Sequence, residues 1–429
     1  MTLAATAYDR ALPRDVWPDS TFPLVFEGYD FIGNRRRRFG ADAFACRLLF
    51  RSAVCIGGPG AAKLFYDANR FRRGGVVPRR VLKTLLGEGG IHGLDGALHV
   101  GRKAMFLAFM GPHTLGPIRD LMQRHWRQGI AEWRGKTVAV FERAQLILFQ
   151  ALAEFAGVPL AREEVSARTA DLAAMVDGFG GIGPRYWRAR LARLRSERWA
   201  RDLIRGVRGG RIAADPEKAM AIIAHYRERD DEPLDEGTAS VELLNVLRPA
   251  MAAAYFIEYA ALMLDRMPSL REEVAEDAAA SERFIDEVRR VCPFTPFLGA
   301  EACHDVEWNG HVIPAGTLTV LDVYGIHNDD RIWPRAHAFD PGRFMGRRED
   351  PYSLIPQGRW RTSHRTPLRR RMADDGSPSC SHGIFGAVKL QRNRRTGIRS
   401  HAHSFADENA RDAVSGLDHD RFGPYQSEA

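Results

Sequence analysis

Cysteine is scarce in this chain, long apolar runs are missing, and strand signals are few. The five cysteines, Cys46, Cys55, Cys292, Cys303 and Cys380, form no CxxC pair and no Cys/His metal spacing. Their odd number argues against a disulfide framework, and each reads first as a small buried hydrophobe. No metal-ligating set is expected. The longest apolar stretch, "LRPAMAAAYFIEYAALML" from Leu247 to Leu264, carries Arg248, Pro249 and Glu258. Those residues fit a buried core helix better than a membrane span. The start, "MTLAATAYDRALPRDVW", has charges and prolines where a secretory apolar region would lie. These absences lead to the expectation of a soluble, cytoplasmic protein with no membrane span.

A charge excess is also missing from most of the chain. The net charge is +8, but residues 359–429 hold 13 Lys and Arg against 8 Asp and Glu, which leaves +3 for residues 1–358. A body so nearly neutral gives no electrostatic footprint for nucleic acid. Its one basic run, "NRRRRFG" at Asn34–Gly40, reads as a solvated helix end rather than a phosphate site.

What is present is mostly helical periodicity. "RDLMQRHWRQGIAEWRG", "RAQLILFQALAEFAGV", "SVELLNVLRPAMAAAYFIEYAALMLDRM" and "SERFIDEVRRVCPF" place apolar residues three and four apart. "FACRLLFRSAVCIGG" predicts a hairpin. "HDVEWNGHVIPAGTLTVLDVYG" predicts a strand, an Asn-Gly turn, a strand and a further strand. The fold class expected is mainly α with a small β portion. Composition shifts at Arg359, where periodic helices give way to Arg, Ser and His, so residues 359–429 read as a divergent, poorly ordered tail.

Arg248 is the residue most at odds with its surroundings. A guanidinium cannot shed its charge, so in an apolar helix it needs an anion. That anion is either a Glu or Asp of another helix or the carboxylate of a ligand, and the pattern alone leaves both open. Pro249 removes a backbone donor at the same point and kinks the helix. Two further patterns add to this. Glu287 and Arg290 share one helix face, and "FDPGRF" at Phe339–Phe344 follows about fifty residues on, with Arg343 inside it.

Glu-x-x-Arg followed by Pro-x-Arg-Phe resembles the structural signature of the cytochrome P-450 superfamily. The resemblance implies that Glu287, Arg290 and Arg343 form a buried charge network, with Gly342 where Glu is common. It is close to the bacterial fatty-acid peroxygenases, which include fatty-acid α- and β-hydroxylases and decarboxylases. It runs from about Phe26 to Gly358 through "FYDANRF", "VLKTLLGEGGIHGLDGALHVGRKAMFLAFM", "ELLNVLRPAMAAAYF", "EVRRVCPFTPFLGA" and "LDVYGIHNDDRIWPRAHAFDPGRF". It implies heme b as cofactor, a long-chain fatty acid and hydrogen peroxide as substrates, and no obligatory redox partner. Arg248 would clamp the fatty-acid carboxylate, which itself moves the proton, and Pro249 would shape the kink. His92 would line the pocket as a proton-handling group, although a plain loop histidine is the other reading. Leu86 would face the substrate. His99, Arg102 and Lys103, with Arg72, would meet the haem propionates, although a solvated basic face would look the same. Phe297 and Leu298 read as pocket lining or as core.

One element of that family is missing. A cysteine thiolate should ligate the iron from a loop resembling "PQGGG….GHRC.GE". Here the chain reads "PQGRWRTSHRTPLRRR", with no cysteine before Cys380. Arg359–Gly376 can be encoded so that dropping one base yields Gly-Gly-Gly-His-His-Thr-Gly-His-Arg-Cys-Ala-Gly-Glu-Trp. The cysteine codon then falls across Leu368 and Arg369. The sequence thus divides into a P-450-like domain at 1–358, lacking its ligand loop and C-terminal end, and an out-of-frame tail at 359–429. The fold expected is a cytochrome P-450 fold, incomplete at the C-terminus.

Overall fold

The computed structural model describes residues 11–356 except 179, 229–230, 293 and 347–349. The tail at 359–429, its Cys380 and the end of the ligand-loop approach lie outside the described residues.

The principal helices are α1 (Asp30–Phe39), α2 (Gly96–Phe109), α3 (Leu115–Trp133), α4 (Val140–Ala156), α5 (Val165–Asp177), α6 (Pro184–Arg208), α7 (Glu236–Leu247), α8 (Pro249–Arg266) and α9 (Ala278–Val291). The periodic segments of the sequence fall on α3, α4, α7–α8 and α9. Local chemistry sets several starts. Asp235 caps α7 by accepting the Thr238 N–H at 2.9 Å, and Asp277 caps α9 through Ala279 and Ala280. From Ala239 to Leu247 every residue of α7 is buried, so this helix is apolar nearly all round because protein surrounds it. It packs on α6, while α4 packs on α8 and α3. Trp126, Leu148, Phe149, Met175, Ile204, Leu243 and Met251 fill the resulting core.

The β portion is a five-stranded sheet in the order β1–β2–β7–β4–β3, with a separate β5–β6 pair. The strands are β1 (Ala43–Leu48), β2 (Arg51–Ile56), β3 (Phe71–Arg72), β4 (Phe297–Ala302), β5 (Val306–Trp308), β6 (His311–Ile313) and β7 (Leu318–Asp322). Both expected hairpins form, β1 with β2 and β5 with β6. Asn309 and Gly310 turn the second one with φ of 49° and 77°, the left-handed values an Asn-Gly turn needs.

The basic run is not a solvated helix end throughout. Arg35 is buried and pairs with Asp15 at 2.7 Å and Glu27 at 2.8 Å, and Arg36 reaches Asp42, Asp322 and Asp329. These pairs pin α1 to the sheet. The cysteine default also fails once, since Cys303 is exposed while Cys46 and Cys55 are buried. Among the described residues no helix is long and apolar enough to cross a membrane, and no cluster of three metal-ligating side chains occurs.

Candidate active site

The α7–α8 helix breaks at Arg248. Its N–H still donates to the Leu244 carbonyl at 2.9 Å, but Pro249 has no N–H, and the next turn tightens to Met251 N–H on the Arg248 carbonyl at 3.0 Å. The helix therefore ends at Leu247 and restarts at Pro249, with a tighter i+3 bond at the junction. Among the described residues no carboxylate pairs with the Arg248 guanidinium. Its one side-chain partner is the Asn245 carbonyl oxygen, at 3.2 Å from Nη2, and Nε has no partner. Burial, with the nearby Arg193 cation, pulls its pKa down to about 9. Of the two readings open in the sequence, an internal salt bridge is thus not what the described residues provide.

His92 sits on a short turn at Ile91–Gly93, within Coulombic reach of Arg248 and Arg193. Burial and those two cations hold its pKa at about 3. Near neutral pH the ring is an uncharged hydrogen-bonding group beside two cations, not a protonated acid. His92 and Pro249 nevertheless present open surface. The loop lies hard against α7. A Cβ on Gly90 would come 2.8 Å from Val241 Cγ1 and 3.1 Å from Asn245 Nδ2, and Gly87 holds φ of 87°. Only glycine lets this backbone approach so closely. Leu86 ends a π-helical turn (Leu82–Leu86) that leads into the loop and packs on the main core.

The basic face of α2 divides. Arg102 turns inward and is buried, donating to Glu228 from Nε at 3.1 Å and to Glu242 from Nη1 at 2.5 Å. Glu242 is itself fully buried, which raises its pKa against the opposing pull of Asn245 and Arg102. His99 and Lys103 lie half-buried elsewhere on α2. Burial depresses the His99 pKa, with Lys103 and Arg73 acting in the same direction and Asp95 against. Arg73, not Arg72, is therefore the arginine beside this pair. Arg72 turns to Glu301 across the β3–β4 ladder, with Nε at 3.0 Å. The sequence reading missed Arg73, although it is the next residue in "NRFRRGG". It also missed Glu242, Asn245 and the buried Arg193, the first two of which share a face with Arg248 at three-residue steps.

Glu287, Arg290 and Arg343 meet below the helices. Arg290 grips Glu287 through two bonds of 2.7 Å, and Arg343 Nε adds a third at 3.1 Å. The remaining guanidinium N–H groups reach the carbonyls of His327, Pro334, Arg335 and Ala338. Phe297 and Leu298 lie on β4, packed against the sheet clusters. An open cleft of about 460 Å³, lined by Arg79, Arg80, Lys83, Gly183, Tyr186 and Trp187, contains none of these candidate residues.

Comparison with known proteins agrees with this geometry. The cytochrome P-450 family model matches residues 280–359, which include the Glu287–Arg290–Arg343 network. Cytochrome P-450 138 of Mycobacterium tuberculosis is 23% identical over 373 residues, covering 78% of this chain and 82% of that protein. Among solved structures, cytochrome P450SP alpha (CYP152B1) in complex with (R)-ibuprophen superposes with a TM-score of 0.79 and 36% identity, over 86% of this chain and 90% of that one. Cytochrome P450EX alpha (CYP152N1) with myristic acid gives 0.80 and 35%, over 89% and 91%. An OleT variant in complex with arachidonic acid gives 0.80 and 31%, over 82% and 85%.

Proposed function

The chain belongs to the cytochrome P-450 family, and from that premise we propose that it derives from a haem enzyme that oxidises long-chain fatty acids beside the carboxyl group, with hydrogen peroxide as oxidant. The observation that carries this reading is the state of Arg248. A half-buried guanidinium that has no carboxylate partner among the described residues is a site ready for an anion. A fatty acid supplies that anion together with an apolar chain, and the relatives with myristic and arachidonic acid bind molecules of this class.

The residues present fit haem on two sides. Lys103 and Arg73 bring positive charge suited to propionates beside His99, whose lowered pKa leaves its ring a neutral hydrogen-bonding group. His92, close enough to Arg248 to feel its charge, and Pro249 both present exposed surface. When bound, haem supplies the oxidising chemistry. Arg248 holds the fatty-acid carboxylate bidentately and so fixes the α- and β-carbons at the reacting centre. The carboxylate takes a proton from one peroxide oxygen and returns it to the other. The balance for hydroxylation is one C–H and one H2O2 giving one C–OH and one H2O. For decarboxylation it is one acid and one H2O2 giving a terminal alkene, CO2 and two waters. His92, whose pKa is lowered by burial and by the Arg248 and Arg193 cations, serves as a hydrogen-bonding group there.

No cysteine among the described residues fits a haem-iron ligand. Cys46 and Cys55 lie in the sheet core, Cys303 is exposed, and burial pushes the Cys292 thiol up to about 12. None is placed as a thiolate. This favours a second reading, in which the chain as translated binds fatty acids without turnover. The frame reading accounts for both: residues 359–429 would be the ligand loop and C-terminal end translated one base out of frame. Sequencing the coding DNA across Gly358 tests it, and a shifted frame without a cysteine codon at the Leu368–Arg369 junction refutes it. A reduced-CO difference spectrum on the chain as translated should lack the red-shifted band of thiolate ligation. Its presence would overturn the assignment of a missing ligand.

A further inference from the structure

Glu242 and Asn245 on the buried face of α7, and Arg248 at its C-cap, follow at three-residue steps, and their hydrogen bonds run in one direction. Glu242 Oε1 accepts the Ile91 N–H at 2.8 Å and Arg102 Nη1 at 2.5 Å. Its Oε2 accepts from Asn245 Nδ2 at 2.9 Å. Asn245 Oδ1 in turn accepts from Arg248 Nη2 at 3.2 Å. Chemistry fixes the Asn245 amide in this orientation. A flipped amide would set its NH2 against a guanidinium, donor to donor, and its carbonyl against a carboxylate, acceptor to acceptor.

We propose that Glu242 and Asn245 are positioning residues that aim the Arg248 guanidinium while leaving its charge unneutralised. Asn245 is neutral, so it takes one N–H without competing for the cation. Glu242 holds the amide in place and, through Ile91, also holds the loop that carries His92. One buried carboxylate thereby ties together α2, the His92 loop and the arginine. This deepens the fatty-acid reading of Arg248 and rests on it.

The test compares binding of palmitate with binding of hexadecanol, which lacks the carboxylate, by displacement of a fluorescent fatty-acid probe from the full chain. Asn245→Ala and Glu242→Gln should each weaken palmitate about tenfold, the cost of one misaimed charge-assisted contact, while hexadecanol stays within about twofold. Equal loss for both ligands would show plain structural damage and overturn the proposal, as would unchanged palmitate binding in both variants. Arg248→Leu run in parallel separates the two claims. If it leaves the palmitate-to-hexadecanol ratio unchanged, the carboxylate reading itself fails. If it collapses that ratio while Asn245→Ala does not, only the positioning role fails.

Discussion

Two arginines of this chain, one completely covered and one half-buried, live under opposite conditions. Arg290 is completely covered and has a carboxylate, two backbone carbonyls and a neighbouring indole around it. Arg248 is half-buried at the junction of two helices more apolar than that of Arg290 and, among the described residues, has one amide oxygen. Both entail the desolvation cost of a guanidinium, but only Arg290 is compensated within the fold. A charge fully matched by its own chain serves the structure. A charge left unmatched is available to a ligand.

The comparison can be broken most directly at its satisfied end. Glu287→Ala should destabilise the protein by about 3–5 kcal/mol, because it strands Arg290 in the interior and frees Arg343. Chemical denaturation would read this, and a loss under about 1 kcal/mol would mean that the network is not needed for folding. At the other end, Arg248→Leu should leave stability unchanged or raise it, while fatty-acid affinity falls by about a hundredfold, the usual cost of deleting one partner of a buried charge pair. The two substitutions, each removing one charge, thus act on different observables.

A smaller effect concerns pH. His327 is fully buried and held near pKa 3 by burial and by Arg290, with Nε2 accepting the Ile355 N–H at 2.9 Å. His92 is held at a similar value. An unfolded histidine binds its proton near pH 6.5, so between 6.5 and 3 the unfolded state carries more protons and stability falls as pH drops. His327→Gln, which keeps an acceptor for Ile355, should flatten the stability slope between pH 6 and 4. An unchanged slope would place His327 outside the acid response. The smallest expected effect is at Arg331, a half-exposed side chain that chelates Asp42 and Asp329. Arg331→Ala should cost no more than about 1 kcal/mol, since solvent and salt screen such pairs.

The fold was largely legible in the sequence where one force decided each element. Apolar spacing located α3, α4 and α9, and the Asn309-Gly310 pair located the β5–β6 turn. Arg290 and Glu287 stand three apart on one helix, so their pairing could be read directly. The site was less legible because its decisive features are long-range. No spacing rule shows that Arg102 turns to Glu228 and Glu242, or that Arg72 faces Glu301 while Arg73 faces α2. Arg72 ends β3 while Arg73 lies just past it, so no regular alternation places the second side chain. Arg36 read as solvated because the partners that bury it, Asp322 and Asp329, lie almost three hundred residues away. Glu242 and Asn245 could have been found, since Glu-x-x-Asn-x-x-Arg lines one helical face.

The central claim is that the anion missing from Arg248 is a fatty-acid carboxylate. Titrating the full chain and its Arg248→Leu variant with palmitate and with hexadecanol tests it most directly. The account predicts that wild type prefers the acid strongly and that the variant binds both alike. An acid preference that survives the loss of Arg248 would contradict it.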